Sequence, residues 1–392
     1  MAAESVLAAQ AGLPVVAQAS DRSARFRFEL ATPRDNQELQ RFSLEAAMPG
    51  AIRFSFDRAP DYLAALCVEG RQSEVLVCRE TQTGRLVATG HRSLKPAFVN
   101  GKPEMLGYLS GLRVDPSARS GHLLGRGYAF LRALHASRPA CLYLTTIMED
   151  NRPAKEVLLS GRLGLPVYHD LGRFYCMAVG LNGRSQGCSD GEVCVRPATP
   201  ADGAAVVEFL NREGRSRQFF PEYQAEDLGL RGGLLAQLEW KDVFLAFRAS
   251  ELLGVLAAWD QRALRRWRVT GYAPWLRVLR GPSNLVARLR GMPFLPKPDS
   301  TPDYFILSIV CVRQDDRSVF HTSLETILRE KRSQYGFFLA GLHERDPLLP
   351  DLLSRPHVPL PSRLYAVAWD DGAEAVRQLD PQRVPYLELG AL

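Results

Sequence analysis

The chain has 392 residues, 46% of them hydrophobic, which is enough for two ordinary cores and long for one. Its formal net charge of +6 suits acidic ligands such as nucleotides, yet falls short of what marks a nucleic-acid binder. The seven cysteines are odd in number and form no CxxC pair, so neither a disulfide framework nor a zinc site is indicated, and a reducing cytoplasm is the natural expectation. No apolar run reaches the length of a transmembrane helix.

The first 24 residues read as a loose leader. Residues 17–20 (AQAS) mimic a signal-peptidase site, but Glu4 replaces a positive n-region and Gln10, Gly12 and Pro14 break the apolar stretch. A strand is expected over 25–30, then a helix from Pro33 and another near 57–67. Residues 74–79 and 86–95 read as a hairpin across Thr83-Gly84, and the Asn100-Gly101 turn leads to a strand containing 109–114. Gly125-Arg126-Gly127 reads as a turn feeding a helix carried by Tyr128, Leu131 and Leu134. A strand over 141–147, a helix after Asn151-Arg152-Pro153, and two strands around Val167 and 174–179 complete a mixed sheet flanked by helices, an α/β (α+β) fold.

The pattern then repeats. Ala31-Thr32-Pro33-Arg34-Asp35 recurs as Ala198-Thr199-Pro200-Ala201-Asp202, each a helix start with Thr at the cap, Pro at the first position and a carboxylate to answer the cap. Leu109-Ser110-Gly111-Leu112-Arg113-Val114 aligns without a gap to Leu307-Ser308-Ile309-Val310-Cys311-Val312. Two homologous halves follow, 25–181 and 193–392, joined by the polar linker 182–192. The segment 262–298 has no counterpart in the first half.

Two motifs carry a resemblance. Val114-x-Pro116-x-x-Arg119 leads into His122-Leu123-Leu124-Gly125-Arg126-Gly127, similar to the acyl-CoA loop Gln/Arg-x-x-Gly-x-Gly/Ala of the GCN5-related N-acetyltransferase (GNAT) superfamily. Asn151-Arg152-Pro153-Ala154 resembles the Asn-x-x-Ala that opens that family's next helix. Over about 25–181 the element order is similar too, so the chain resembles a tandem of two GNAT domains. The resemblance implies acetyl-CoA as co-substrate, an amine of a small molecule or peptide as acceptor, and no metal. Amides of residues 123–127 would cradle the pyrophosphate at the positive end of a helix, with Arg119 or Arg126 on the phosphates. Leu112, Arg113 and Val114 would pair with the pantetheine and help place an oxyanion-binding amide. The departures are several. His122 stands where Gln or Arg is usual, the glycine pair lies further from Arg119 and implies a longer loop, and Leu158 replaces a frequent tyrosine acid.

Direct attack by an amine needs a neutral nucleophile, and a lysine-like amine is neutral only about once in 2,500 at pH 7, worth roughly 4.6 kcal/mol. Tyr108 and Ser110 are the catalytic candidates; His91, Tyr143, Glu149 and Tyr175 also carry suitable groups. Each has a plainer reading as a packed strand residue or a solvated loop charge. There is no GxSxG and no Gly-Lys-Ser/Thr loop, so serine-hydrolase and P-loop chemistry are not indicated. A non-catalytic CoA-sensing protein is the alternative function.

In the second half the glycines are gone, and Glu325 falls where Gly127 stands. A fold that has lost cofactor binding is expected there, serving as part of the acceptor pocket or a homodimer surface. The 262–298 insertion holds eight arginines, Lys297 and no acid, interleaved with Trp267, Tyr272 and Trp275. Its sequence reads as two short amphipathic pieces split by Gly281-Pro282. They are expected to pack their Leu/Trp face on the domain, leaving nucleic-acid stacking through Arg265, Arg266 and Arg268, or an anionic membrane surface, as the less favoured roles.

Overall fold

The computed structural model describes residues 25–45, 52–119, 121–161, 164–181, 192–229 and 233–392. The leader, and all of the linker but Glu192, lie outside them. In chain order the first half runs β1 (Phe26–Leu30), α1 (Asn36–Glu45), β2 (Ile52–Asp57), β3 (Gln72–Glu80), β4 (Leu86–Val99), β5 (Lys102–Val114), α2 (Gly121–Ser137), β6 (Tyr143–Met148), α3 (Arg152–Leu158) and β7 (Val167–Gly180). The second runs β8 (Val193–Pro197), α4 (Gly203–Gly214), β9 (Leu228–Gly229), β10 (Leu235–Ala236), β11 (Val243–Arg248), β12 (Glu251–Trp259), β13 (Arg266–Tyr272) and α5 (Pro274–Arg290). It ends with β14 (Tyr304–Val312), α6 (Arg317–Lys331), β15 (Phe337–His343), α7 (Leu349–Leu353), β16 (His357–Ala368) and α8 (Ala373–Arg377).

The cap chemistry explains the matching starts. In both halves the aspartate reaches back to the threonine amide, Asp35 to Thr32 at 2.6 Å and Asp202 to Thr199 at 2.8 Å. The β4–β5 hairpin turns on Asn100 and Gly101, both at positive φ. β14 is buried on both faces, which is why YFILSIVCV reads as one apolar run rather than an alternation.

Twelve strands form one sheet in the order β1-β3-β4-β5-β6-β16-β7-β15-β14-β12-β11-β8. The halves do not each close their own sheet. β16, from the end of the second half, pairs with β6 on one side and β7 on the other, and β7 in turn pairs with β15. The two strands expected around Val167 and 174–179 are therefore one strand. Gly172, at φ +110°, lies where its register with β16 shifts, and its hairpin partner comes from the other half. The helix expected near 57–67 is also revised. IRFSFD alternates with the strand period and forms β2, and only a single short helical turn follows at Ala64–Val68.

Within the twelve-stranded sheet each half contributes one parallel pair, β5–β6 and β14–β15, and each pair is short. β5 and β6 are in register only at Gly107–Tyr143 and Tyr108–Leu144, after which they part. A Cβ on Gly107 would lie 2.1 Å from the Tyr143 ring, whose hydroxyl bonds Arg92 and His135. Gly107→Ala should therefore destabilise the protein by about 1–3 kcal/mol, whereas Gly90→Ala, which meets nothing within 4 Å, should stay within about 0.5 kcal/mol. Urea unfolding of the two variants checks this.

Candidate active site

Just past the point where β5 leaves β6, the strand carries a bulge. The register with β4 shifts between His91–Ser110 and Thr89–Arg113, and Gly111 takes φ +62°. The second half repeats this at the aligned position. The β12–β14 register shifts between Ala257–Ser308 and Val255–Cys311, with Ile309 at φ +45°. Glycine is required at the first bulge for a second reason: a Cβ there would lie 2.4 Å from the His91 ring.

Behind the Gly111 bulge lies a buried chain of polar groups. The Ser110 hydroxyl donates to Glu69 Oε2 at 2.8 Å and sits 3.3 Å from His91 Nδ1; Tyr62 OH lies 2.9 Å from His91 Nε2. One proton arrangement satisfies all of these contacts: Tyr62 donates to Nε2, Nδ1–H donates to Ser110, and Ser110 donates to Glu69. Glu69 has no solvent exposure and is held by Arg58 at 2.9 Å and Arg265 at 3.3 Å. Burial alone would raise the Glu69 carboxyl, but the two guanidiniums and the Ser110 bond overcome it and hold it below the usual carboxylate range. His91 is pushed down to about 3, first by burial and then by Arg58, so its ring is neutral. Burial also lowers Lys95 to about 8 and Arg265 to about 10.

The insertion completes this cluster. β13 pairs antiparallel with β2 of the first half, Arg266 opposite Asp57 through Tyr272 opposite Ile52. Trp267 packs edge-on against Phe54 and Phe56, with centroids 5.4 and 4.8 Å away. Arg265 is thereby delivered, almost wholly buried, to a carboxylate 196 positions earlier in the chain. Sequence reading missed Glu69, Arg58 and Tyr62. The only signal was a lone glutamate closing an apolar run, YLAALCVEG.

The predicted residues divide as follows. Ser110 and His91 belong to the cluster. Tyr108 is buried with its hydroxyl 3.2 Å from Thr146 across the splay, and burial raises its pKa, so it is a wall and a poor acid. Leu112 is exposed along the β5 edge, while Val114 and Leu123 pack into a small apolar cluster under β1 and α2. Arg113 turns away to the Ser43 carbonyl. Asn151 caps α3, accepting from Ala154 N at 3.3 Å. Arg119 and His122 are exposed.

The glycine pair is corrected. α2 starts at Gly121, so Gly125, Arg126 and Gly127 lie inside it, and the connection from Arg119 is not lengthened. Their amides fall in the helix's hydrogen-bonded interior, and its open end is at Gly121-His122. Gly127 permits close packing on Phe28, 3.2 Å from where a Cβ would be, and Arg126 bonds the Phe26 carbonyl. Leu124 is partly buried against the core.

The second half differs at the same places. Ala257 stands opposite Ser308, whose buried hydroxyl has no partner among the described residues. The bulge amide of Ile309 donates to Glu388 at 2.8 Å, and Asp316 caps α6 by accepting from Ser318 N and Val319 N. No cluster able to hold a metal ion occurs among the described residues.

Two measurements follow from the Glu69 cluster. Glu69→Gln would strand two buried arginines and should cost about 3–5 kcal/mol, against about 1 kcal/mol for Ser110→Ala. An unfolded histidine takes up a proton near pH 6.5, and folded His91 refuses it until about 3, so this contribution to stability is present above 6.5 and lost as pH falls through that window. Thermal unfolding between pH 7.5 and 4 should show a shallower decline in His91→Gln than in the parent protein.

No family model and no curated protein matches the sequence. Solved structures do match. Saccharomyces cerevisiae N-myristoyltransferase with bound myristoyl-CoA is 11% identical at a TM-score of 0.57, over 93% of this chain and 85% of that one. A GCN5-related glucosamine N-acetyltransferase region of a fungal multi-domain β-N-acetylglucosaminidase is 11% identical at 0.58, over 88% of this chain and 38% of that one. A GCN5-related N-acetyltransferase from Anabaena variabilis is 9% identical at 0.50, over 87% and 72%. With its bulge, splayed parallel pair and flanking helices, the chain has the fold of the GCN5-related N-acetyltransferases.

Proposed function

We propose that the first half is an acyl-CoA-dependent N-acyltransferase, with acetyl-CoA as donor and an amine of a small molecule or peptide as acceptor. The observation that carries this reading is the open β5 edge beyond Tyr108, placed directly in front of the Ser110–Glu69 chain. The coenzyme's pantetheine would run along Leu112, with the diphosphate near Arg119 and the open end of α2 at Gly121-His122. The Tyr108–Thr146 bond closes the floor of the splay, which supports a short acyl group.

In this reading the amine nitrogen attacks the thioester carbonyl, the C–N bond forms, the C–S bond breaks, and the thiolate leaves with a proton lost by the amine. Ser110 has committed its proton to Glu69 and one lone pair to His91, so one lone pair remains to accept from the amine N–H and orient it. Neither Glu69 nor His91 titrates near neutrality. The relay therefore positions rather than deprotonates, and the pH limb of kcat/KM should follow the acceptor amine's own pKa. The second half is proposed to have lost the coenzyme, since Glu388 and Asp316 occupy the donors a coenzyme would need.

Thiol release from CoA thioesters of increasing length, measured with a panel of amines and peptides, tests the reading. Acetyl-CoA should be the fastest donor, and Tyr108→Ala should shift the preference toward longer chains. Arg119→Ala should weaken CoA binding in calorimetry by about tenfold, whereas Gly125→Ala, inside the helix, should leave it within about twofold. CoA binding with no thiol release for any acceptor would instead favour a coenzyme sensor, a reading to which the buried Tyr108 and Leu158 lend support.

A further inference from the structure

The insertion does not pack as its sequence suggests. α5 is a single helix that continues through Pro282, and all of its large apolar side chains but Leu276 face solvent. Trp275, Val278, Leu279, Leu285, Val286 and Leu289 recur at helical spacing on one face, and Val278 and Leu289 are 79% and 80% exposed. The opposite face, bearing Ser283, Asn284 and Ala287, is the one turned toward the protein. That small-residue face is firmly fixed. Asn284 exchanges two hydrogen bonds with Leu295, at 3.0 and 2.8 Å, and the Gly291 carbonyl occupies the space where a Cβ on Gly180 would sit. An ordinary surface helix has these faces the other way round.

The charges around this face separate into two groups. Arg262, Arg265 and Arg266 pair with Asp260, Glu69 and Asp57, and Arg268 lies 3.8 Å from Asp299, so each of these cations already faces a carboxylate. Arg277, Arg290 and Lys297 are exposed and have no ion pair among the described residues. The segment 262–298 contains no carboxylate. A second copy of the chain docked symmetrically on this face would set these cations against one another, which disfavours self-association. An aliphatic stripe flanked by unpaired arginines, with a tryptophan at one end, matches the requirements of an anionic lipid surface.

We propose that α5 lies in the headgroup layer of an anionic bilayer, its Val278–Leu289 face toward the acyl chains, and holds the protein at a membrane surface. It is too short and too charged to span one. The test is co-sedimentation of the full-length protein with vesicles of phosphatidylcholine alone and of phosphatidylcholine with phosphatidylglycerol. Binding should require phosphatidylglycerol and weaken with salt. The double variant Val278→Glu/Leu289→Glu, at two exposed positions, should lose binding while keeping the parent unfolding temperature, and each of Arg277→Gln and Arg290→Gln should lower partitioning about fivefold. Failure of the parent protein to bind anionic vesicles overturns the proposal, as does binding unaffected by Val278→Glu/Leu289→Glu. A dimer in light scattering that this variant dissociates, without vesicle binding, would assign the face to a second copy and overturn it equally.

Discussion

A carboxylate stripped of water stays ionised only where cations are brought to it, and Glu69 draws one from each half of the chain. Arg58 comes from the end of β2 and Arg265 from the start of the insertion, and β2 and β13 then pair so that both guanidiniums converge. Ser110 and His91 are fixed by the same carboxylate, and through them the Gly111 bulge. The geometry in front of the splay therefore depends on an ionic contact whose partners are far apart in sequence. A second tie, from Arg92 through Tyr143 and His135 to Asp371, again joins the halves on the other side of β4.

The two halves share a scaffold and differ in how they use it. Both have the helix cap, the bulge and the serine before it. In the first half the bulge faces a satisfied polar chain; in the second, alanine replaces the histidine and the amide is taken by Glu388. What the second half supplies to the first is a central strand and the arginine that balances Glu69.

Local chemistry made much of this legible in the sequence. The Thr-Pro-x-Asp caps, the Asn100-Gly101 turn and the LSGLRV/LSIVCV match each depend on neighbouring residues, and each is found where expected. The failures share a cause as well. Gly125 and Gly127 signal a turn when read alone, but the preceding His-Leu-Leu already continues a helix that tolerates glycine and uses one for close packing. Glu69, Arg58 and Arg265 carry no spacing rule because only tertiary structure joins them. The amphipathic pattern of α5 suggested a Leu/Trp face turned inward, whereas Asn284 and the Gly180–Gly291 approach fix the other face against the protein.

The position of β16 also constrains how the chain acquires its structure during synthesis. The strand that fills the gap between β6 and β7 is the last of the sixteen to leave the ribosome. Until it arrives, β6 and β7 flank an open slot, and their unpaired backbone edges are available to any other nascent chain. The first half, although translated early and bearing the candidate site, has to wait in an unfinished form for residues synthesised nearly two hundred positions later.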